Sequence, residues 1–184
     1  MSIKNRTKQM FADKLQEMAK KKLIREIQVK DLCEACGVER TTFYYHFRDK
    51  YDLVAWIFIQ YYTEESDLSS FPNDEKMICR MFYRMQEHRA FFLNALQDHS
   101  QNNLAQYMLD FYIDYERKAV CQYLNTDTLD EALEYEIRQY SFGCMGHTIE
   151  WLQGKNHYTP EQFAHYHYMV MPDIIKKAFA PNQK

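Results

Sequence analysis

Arg40, Thr41, Thr42, Tyr44, Tyr45 and His46 fall within seven consecutive positions. Together they offer a guanidinium, two small hydroxyls, two phenols and an imidazole. These groups suit phosphate oxygens and the base edges exposed in a major groove. Thr41, Tyr44 and Tyr45 stand at i, i+3 and i+4, so on a helix they share one face, with Arg40 beside them. Lys30 precedes the run and Lys50 follows it, adding two cations. Residues 1–50 hold 12 Lys+Arg against 7 Asp+Glu, a net of +5, while residues 51–184 hold 11 against 19, a net of −8. A basic front on an acidic chain suits an end that meets a polyanion.

Short helices must position this set. Val29, Leu32, Cys33 and Cys36 recur at helical steps, and Gly37 can take the left-handed conformation that stops a helix. A second short helix over about 39–46 places Phe43 and Phe47 one turn apart on its buried side. Val29, Leu32, Cys33, Val38, Phe43 and Phe47 then pack against a first amphipathic helix, about 3–22, whose stripe is Ile3, Met10, Phe11, Leu15, Met18 and Ala19. This is a helix-turn-helix by physical criteria. Asp49 reads as the N-cap of a fourth helix running to about residue 65.

At this point the chain resembles the TetR family of transcriptional regulators. The matching residues are Gly37-Val38, Thr42-Phe43-Tyr44-Tyr45-His46-Phe47 and Asp49-Lys50. The resemblance implies that Arg40 and Thr41 read bases. It implies that Thr42, Tyr44, His46 and Lys50 touch phosphates, and that Tyr45 meets backbone or a thymine methyl. Lys30 would touch bases or backbone from the preceding helix. The chain departs from the family at Phe43, where Leu or Ile is usual, and in the link Lys22 to Ile27, which lacks the common Gly.

The rest of the chain holds 24 of the 29 aromatics. Helical patterns are expected over 74–88, 89–98 and 101–124. A further helix should open on a Thr128/Glu131 capping box and close near Gly154. A last one should run from Thr159-Pro160 to about Phe179, stopped by Pro181. Only 4 Gly and 4 Pro occur, which favours a helical fold. The expected fold class is all-α with about nine helices: a three-helix head over 1–50, a connector to about 65, and a dimerisation and effector-binding bundle over 66–184. Ser69-Ser70-Phe71-Pro72-Asn73 reads as the linker.

Aromatic walls between those helices could enclose a small effector, as the resemblance implies. The candidate lining is Trp56, Phe82, Tyr107, Phe111, Phe142 and His147. Ser141, Gly143, Cys144 and Gly146 allow close helix approach, so the last two helices are expected to form a homodimer. The phrases around Phe91-Phe92 and Phe142 to Gly154 resemble a TetR branch of dihydroxyacetone kinase operon activators, which act with a protein coactivator.

The expected function is thus a dimeric regulator of palindromic operator DNA, with repression the commoner output, modulated by a small ligand or a partner protein. The alternatives are a coactivator-dependent activator and an interaction module that no longer reads DNA. No catalytic motif, cofactor or metal is expected. Cys33-Glu34-Ala35-Cys36 lacks the second pair zinc needs, and His165 and His167 point in different directions on a helix. The longest charge-free apolar stretch, Leu53 to Thr63, is too short to span a membrane. The start of the chain lacks an apolar signal core, so a cytoplasmic location is expected.

Overall fold

A computed structural model describes residues 3–63, 74–97 and 103–180, and these are helical without strands. The expected linker at Ser69 to Asn73 and the stop at Pro181 lie outside the described residues. Ten α-helices occur among them: α1 (Ile3–Ala19), α2 (Val29–Cys36), α3 (Arg40–His46), α4 (Lys50–Thr63), α5 (Glu75–Glu87), α6 (Arg89–Leu96), α7 (Leu104–Leu124), α8 (Glu131–Leu152), α9 (Pro160–Met169) and α10 (Asp173–Phe179). A short 3₁₀ turn, Ile24–Glu26, lies between α1 and α2.

The chain divides into two compact units. One joins Met1–Tyr62 to Arg89–Ala105, and the other joins Thr63–His88 to Gln106–Lys184. This differs from a simple front-and-back division, because α6 belongs with the head. Its apolar side chains Phe91, Phe92, Ala95 and Leu96 are buried, and it packs on α1.

In the head unit, α1 buries Phe11, Ala12 and Leu15, and α2 buries Leu32 and Cys33. Gly37 ends α2 at φ 67°, with Val38 N–H bonded to Cys33 O at 3.0 Å. A side chain there would be strained whatever the space around it. At the start of α4, Asp49 Oδ1 accepts from the Tyr51 and Asp52 amides at 2.8 and 2.9 Å, the expected N-cap.

In the second unit α5 packs along α9, and an aromatic cluster forms its centre. Phe82 is fully buried, with ring centroids 4.6 Å from Phe163, 4.9 Å from His167 and 5.5 Å from Trp151. Trp151 Nε1 donates to Tyr158 O at 2.8 Å, which ties the α8–α9 link to this core. Thr159, Pro160 and Gln162 open α9 by the expected capping box.

Two expectations are corrected. The last helix is broken into α9 and α10 at Pro172, which has no amide proton and disfavours helical geometry at Met171. The N-cap of α8 is Asp130, whose carboxylate accepts from Leu133 N–H at 2.9 Å, rather than Thr128. Thr128 is instead held in the preceding turn, its amide on Thr126 Oγ1 at 3.4 Å.

Among the described residues, Glu116 of α7 is a buried carboxyl, 3% exposed. Ser141 Oγ lies 2.9 Å from both Glu116 Oε2 and Ile137 O. One hydroxyl proton cannot serve two acceptors. A neutral Glu116 that donates to Ser141 Oγ lets Ser141 donate to Ile137 O. Burial agrees, pushing Glu116 up to about 8, against the opposing hydrogen bond from Ser141.

The sign of the pH dependence follows. The folded value is raised, so the stabilising contribution is complete below the usual carboxyl value of 4.5 and is lost as pH rises toward about 8. Stability should fall by up to about 1.4 kcal/mol per pH unit across that window. Glu116→Gln keeps the shape and cannot ionise. Its thermal midpoint, followed by circular dichroism, should exceed the wild type's by a margin that widens through the same window; a constant margin would contradict this assignment.

Candidate nucleic-acid interface

The seven residues of α3 cannot hold a helix by themselves, since nucleation is too costly. Phe43 holds it. This side chain is 0% exposed and sits edge-on to Phe11 at 5.1 Å, with Phe47 at 5.6 Å. Phe47 in turn meets Trp56 at 6.1 Å, and Lys8 Nζ lies 5.2 Å from the Phe47 ring and 5.7 Å from the Trp56 ring. An ammonium over two aromatic faces closes this side of the head.

With Phe43 turned inward, the helical step of about 100° per residue turns its neighbours out. Tyr45 is 73% exposed and Tyr44 49% exposed, and Arg40 and Thr41 are exposed as well. Thr42 and His46 are half-buried at the edges of this face. Arg40 lies along Tyr44: its guanidinium is 5.8 Å from the ring centroid and donates to the phenol oxygen at 3.3 Å. Thr41 Oγ1 donates to Glu39 Oε2 at 3.5 Å, and Tyr45 meets His46 edge-on at 5.0 Å. Lys30 is exposed on α2 and pairs loosely with Glu34 at 3.6 Å. The seven residues Lys30, Arg40, Thr41, Thr42, Tyr44, Tyr45 and His46 therefore belong to one helix pair, with two phenols and the Arg40 guanidinium prominent on α3. An aromatic-rich, donor-rich short helix on a rigid support is suited to entering a groove.

Lys50 is placed differently. Its ammonium donates to the carbonyls of Ile24 and Arg25 at 2.7 Å each and of Ile27 at 2.9 Å. These are carbonyls of the 3₁₀ turn and its exit, where partial negative charge collects. Cys33 is buried and Cys36 half-buried, and burial pushes both thiols above their usual value, away from the reactive thiolate.

Residues 19–57 match the profile described as bacterial regulatory proteins, tetR family, and residues 73–173 match the one described as transcriptional regulator C-terminal region. The chain belongs to the tetR family. As a tetR-family protein it is a transcriptional regulator with a DNA-binding helix-turn-helix, not an enzyme. Among solved structures it is similar to the dihydroxyacetone kinase operon activator DhaS. There the TM-score is 0.61 at 17% identity, over 92% of this chain and 96% of that one, a likeness of fold. No protein of curated function matches the sequence. Among the described residues no helix of this tetR-family regulator is long and apolar enough to cross a membrane.

The residues expected to line an effector cavity fall in both units. Trp56 belongs to the head unit, on Phe47. Phe82 is fully buried in the aromatic centre of the other unit, whereas Tyr107, Phe142 and His147 are exposed there. Phe111 is half-buried and stacks on Tyr115 at 6.0 Å. Phe142 lies under the Arg138 guanidinium at 5.6 Å. Of the five in the second unit, only Phe82 is fully buried. His165 and His167 diverge: His165 faces Glu75 at 3.2 Å, while His167 is buried with its ring nitrogens 3.0 Å from Phe163 O and 3.3 Å from Cys144 O. Burial lowers the His167 pKa, against those two carbonyls, which favour its charged form.

Sequence reasoning missed Asn94, whose carboxamide bonds to the end of α1, and Glu116 with Ser141. No local pattern marks either, because every partner of Asn94 is more than 69 positions away and Ser141 is 25 from Glu116.

Support and contact should separate by mutation. Phe43→Ala should destabilise the head by about 3–5 kcal/mol, because it empties a fully buried site. Tyr45→Ala should leave stability within about 0.5 kcal/mol of wild type, since it removes an exposed ring. Chemical denaturation measures both, and equal losses would contradict the assignment of Tyr45 to the outer face.

Proposed function

We propose that this regulator binds palindromic operator DNA as a homodimer in the cytoplasm and that its second unit answers to a small ligand or a partner protein. The observation that carries the reading is the geometry of α3, with Phe43 wholly inside and Arg40, Tyr44 and Tyr45 outside. Arg40 and Thr41 read bases at the start of α3. Thr42, Tyr44 and His46 hold phosphates, Tyr45 meets backbone or a thymine methyl, and Lys30 adds a contact from α2.

Dimerisation through α8 and the α9–α10 segment is supported by exposed apolar side chains on α8 and at the end of α9. Phe142 is 51% exposed, Met169 57% and Val170 60%. Gly143 and Gly146 are exposed beside Phe142, and a Cβ added to either would meet nothing within 4 Å. A helix of a second copy can approach such a face closely. A two-fold dimer then presents two copies of α3 to half-sites one or more DNA turns apart.

Repression by occupying the operator is the first reading of the output. Activation with a partner protein is the second, favoured by the whole-chain fold likeness to an operon activator.

Selection of a random duplex library on the purified protein should enrich a two-fold symmetric motif. Enrichment of nothing, with weak binding to all duplexes, would overturn sequence reading. Arg40→Ala should relax preference at one position per half-site by about 1–3 kcal/mol. Gly146→Arg should shift the protein from dimer to monomer in light scattering without loss of helical signal, because Gly146 is exposed in the single chain and a Cβ there meets nothing within 4 Å. A dimer that survives this change would place the interface elsewhere.

A further inference from the structure

The last four carbonyls of a helix have no partner within it. Helices often solve this with a left-handed glycine just past the end. The end of α1 has neither device: no glycine occurs between Ala19 and Val29, and among the described residues the one non-glycine with positive φ is Asn125. Part of this link is satisfied locally, with the Lys21 and Lys22 amides on Met18 O at 3.0 and 3.1 Å. The carbonyls of Ala19, Lys22, Ile24, Arg25 and Ile27 and the amide of Ile24 also bond to side chains from elsewhere in the chain.

Asn94 of α6 supplies one side. Its Nδ2 donates to Ala19 O at 2.8 Å and Lys22 O at 2.7 Å, and its Oδ1 accepts from Ile24 N–H at 2.8 Å. Both amide protons and the carbonyl are thus used on the link. Lys50 of α4 supplies the other side through the carbonyls of Ile24, Arg25 and Ile27. Six hydrogen bonds converge on residues 19–27, and Ile24 and Ile27 are themselves buried at 1% and 0% exposure. The held segment joins α1, whose Phe11 anchors Phe43, to α2, which opens the helix-turn-helix.

We propose that Asn94 and Lys50 are positioning residues for DNA reading, taking the place of the absent glycine cap and fixing the direction in which α2 and α3 leave α1. This rests on the DNA-reading function proposed above. Neither side chain needs to touch the duplex. Along the chain, Asn94 lies between the two stretches that form the second unit, Thr63–His88 and Gln106–Lys184.

The test uses the full chain with N94A, N94D and K50M, and two readouts. The first needs no DNA: hydrogen exchange at the Ile24 amide. N94A should exchange there at least about tenfold faster, with exchange in α8 unchanged. N94D retains an acceptor for that amide and should keep it protected. If N94A loses protection in α8 as well, it has lost its fold, and N94D carries the test. Protection at Ile24 equal to wild type in N94A overturns the inference. The second readout is affinity for the duplex that the wild type enriches, across about 50–200 mM salt. N94A and K50M should each bind about tenfold more weakly at every salt concentration with an unchanged salt slope. For N94D, which lacks both donors to the link, weaker binding at an unchanged slope supports the proposal and wild-type affinity overturns it. A slope reduced by about one unit in K50M would make Lys50 a phosphate contact and overturn its positioning role. If the wild type enriches no duplex, the DNA-reading proposal fails, and the Ile24 exchange still decides the role of Asn94.

Discussion

The burial of Phe43 is the constraint on which the reading head depends. A helix as short as α3 gains too few hydrogen bonds to offset its own ordering, so its direction and rotation come from outside it. Phe43 supplies both by fitting edge-on to Phe11 and beside Phe47. Once that side chain is seated, the helical period dictates that Arg40, Tyr44 and Tyr45 face outward. Specificity in such a head is a matter of tenths of a nanometre, and a single aromatic anchor converts packing into placement. A Phe there is bulkier than a branched aliphatic; the Phe11 ring accommodates it edge-on and the Phe47 ring at a tilt of 45°.

The two units solve opposite problems. The head turns polar groups outward and satisfies its irregular backbone with side chains drawn from α4 and α6. The second unit turns polar groups inward. Glu116, Ser141 and His167 are all buried among aromatic and sulfur-bearing neighbours, and their hydrogen bonds run to one another or to backbone carbonyls. Burial raises the Cys144 thiol to about 12 and lifts Tyr112 well above its usual value, so this interior favours neutral groups throughout. On its outside, Phe142, Met169 and Val170 are exposed.

Much of the local structure was legible in short patterns. Gly37 as the stop of α2, Asp49 as the cap of α4, and Thr159-Pro160-Gln162 as the opening of α9 all depend on residues within four positions of one another. The divergence of His165 and His167 follows from helical geometry alone. Errors arose where two local signals competed. Asp130 and Thr128 could each cap α8, and the turn around Thr126 took Thr128 for itself. Pro172 lies within a periodic apolar pattern, and its missing amide outweighed that pattern.

The amino-acid order by itself determined the helix periods, most of the helix ends and the face of α3 that carries phenols and a guanidinium, because these depend on neighbours a turn apart. Only the tertiary structure decided that α6 sides with the head, that Asn94 and Lys50 hold the link between α1 and α2, and that Glu116 shares a proton network with Ser141. Those pairings are separated by 23 to 75 positions. A buried polar group must find a partner wherever the folded chain brings one, and sequence distance carries no information about that meeting.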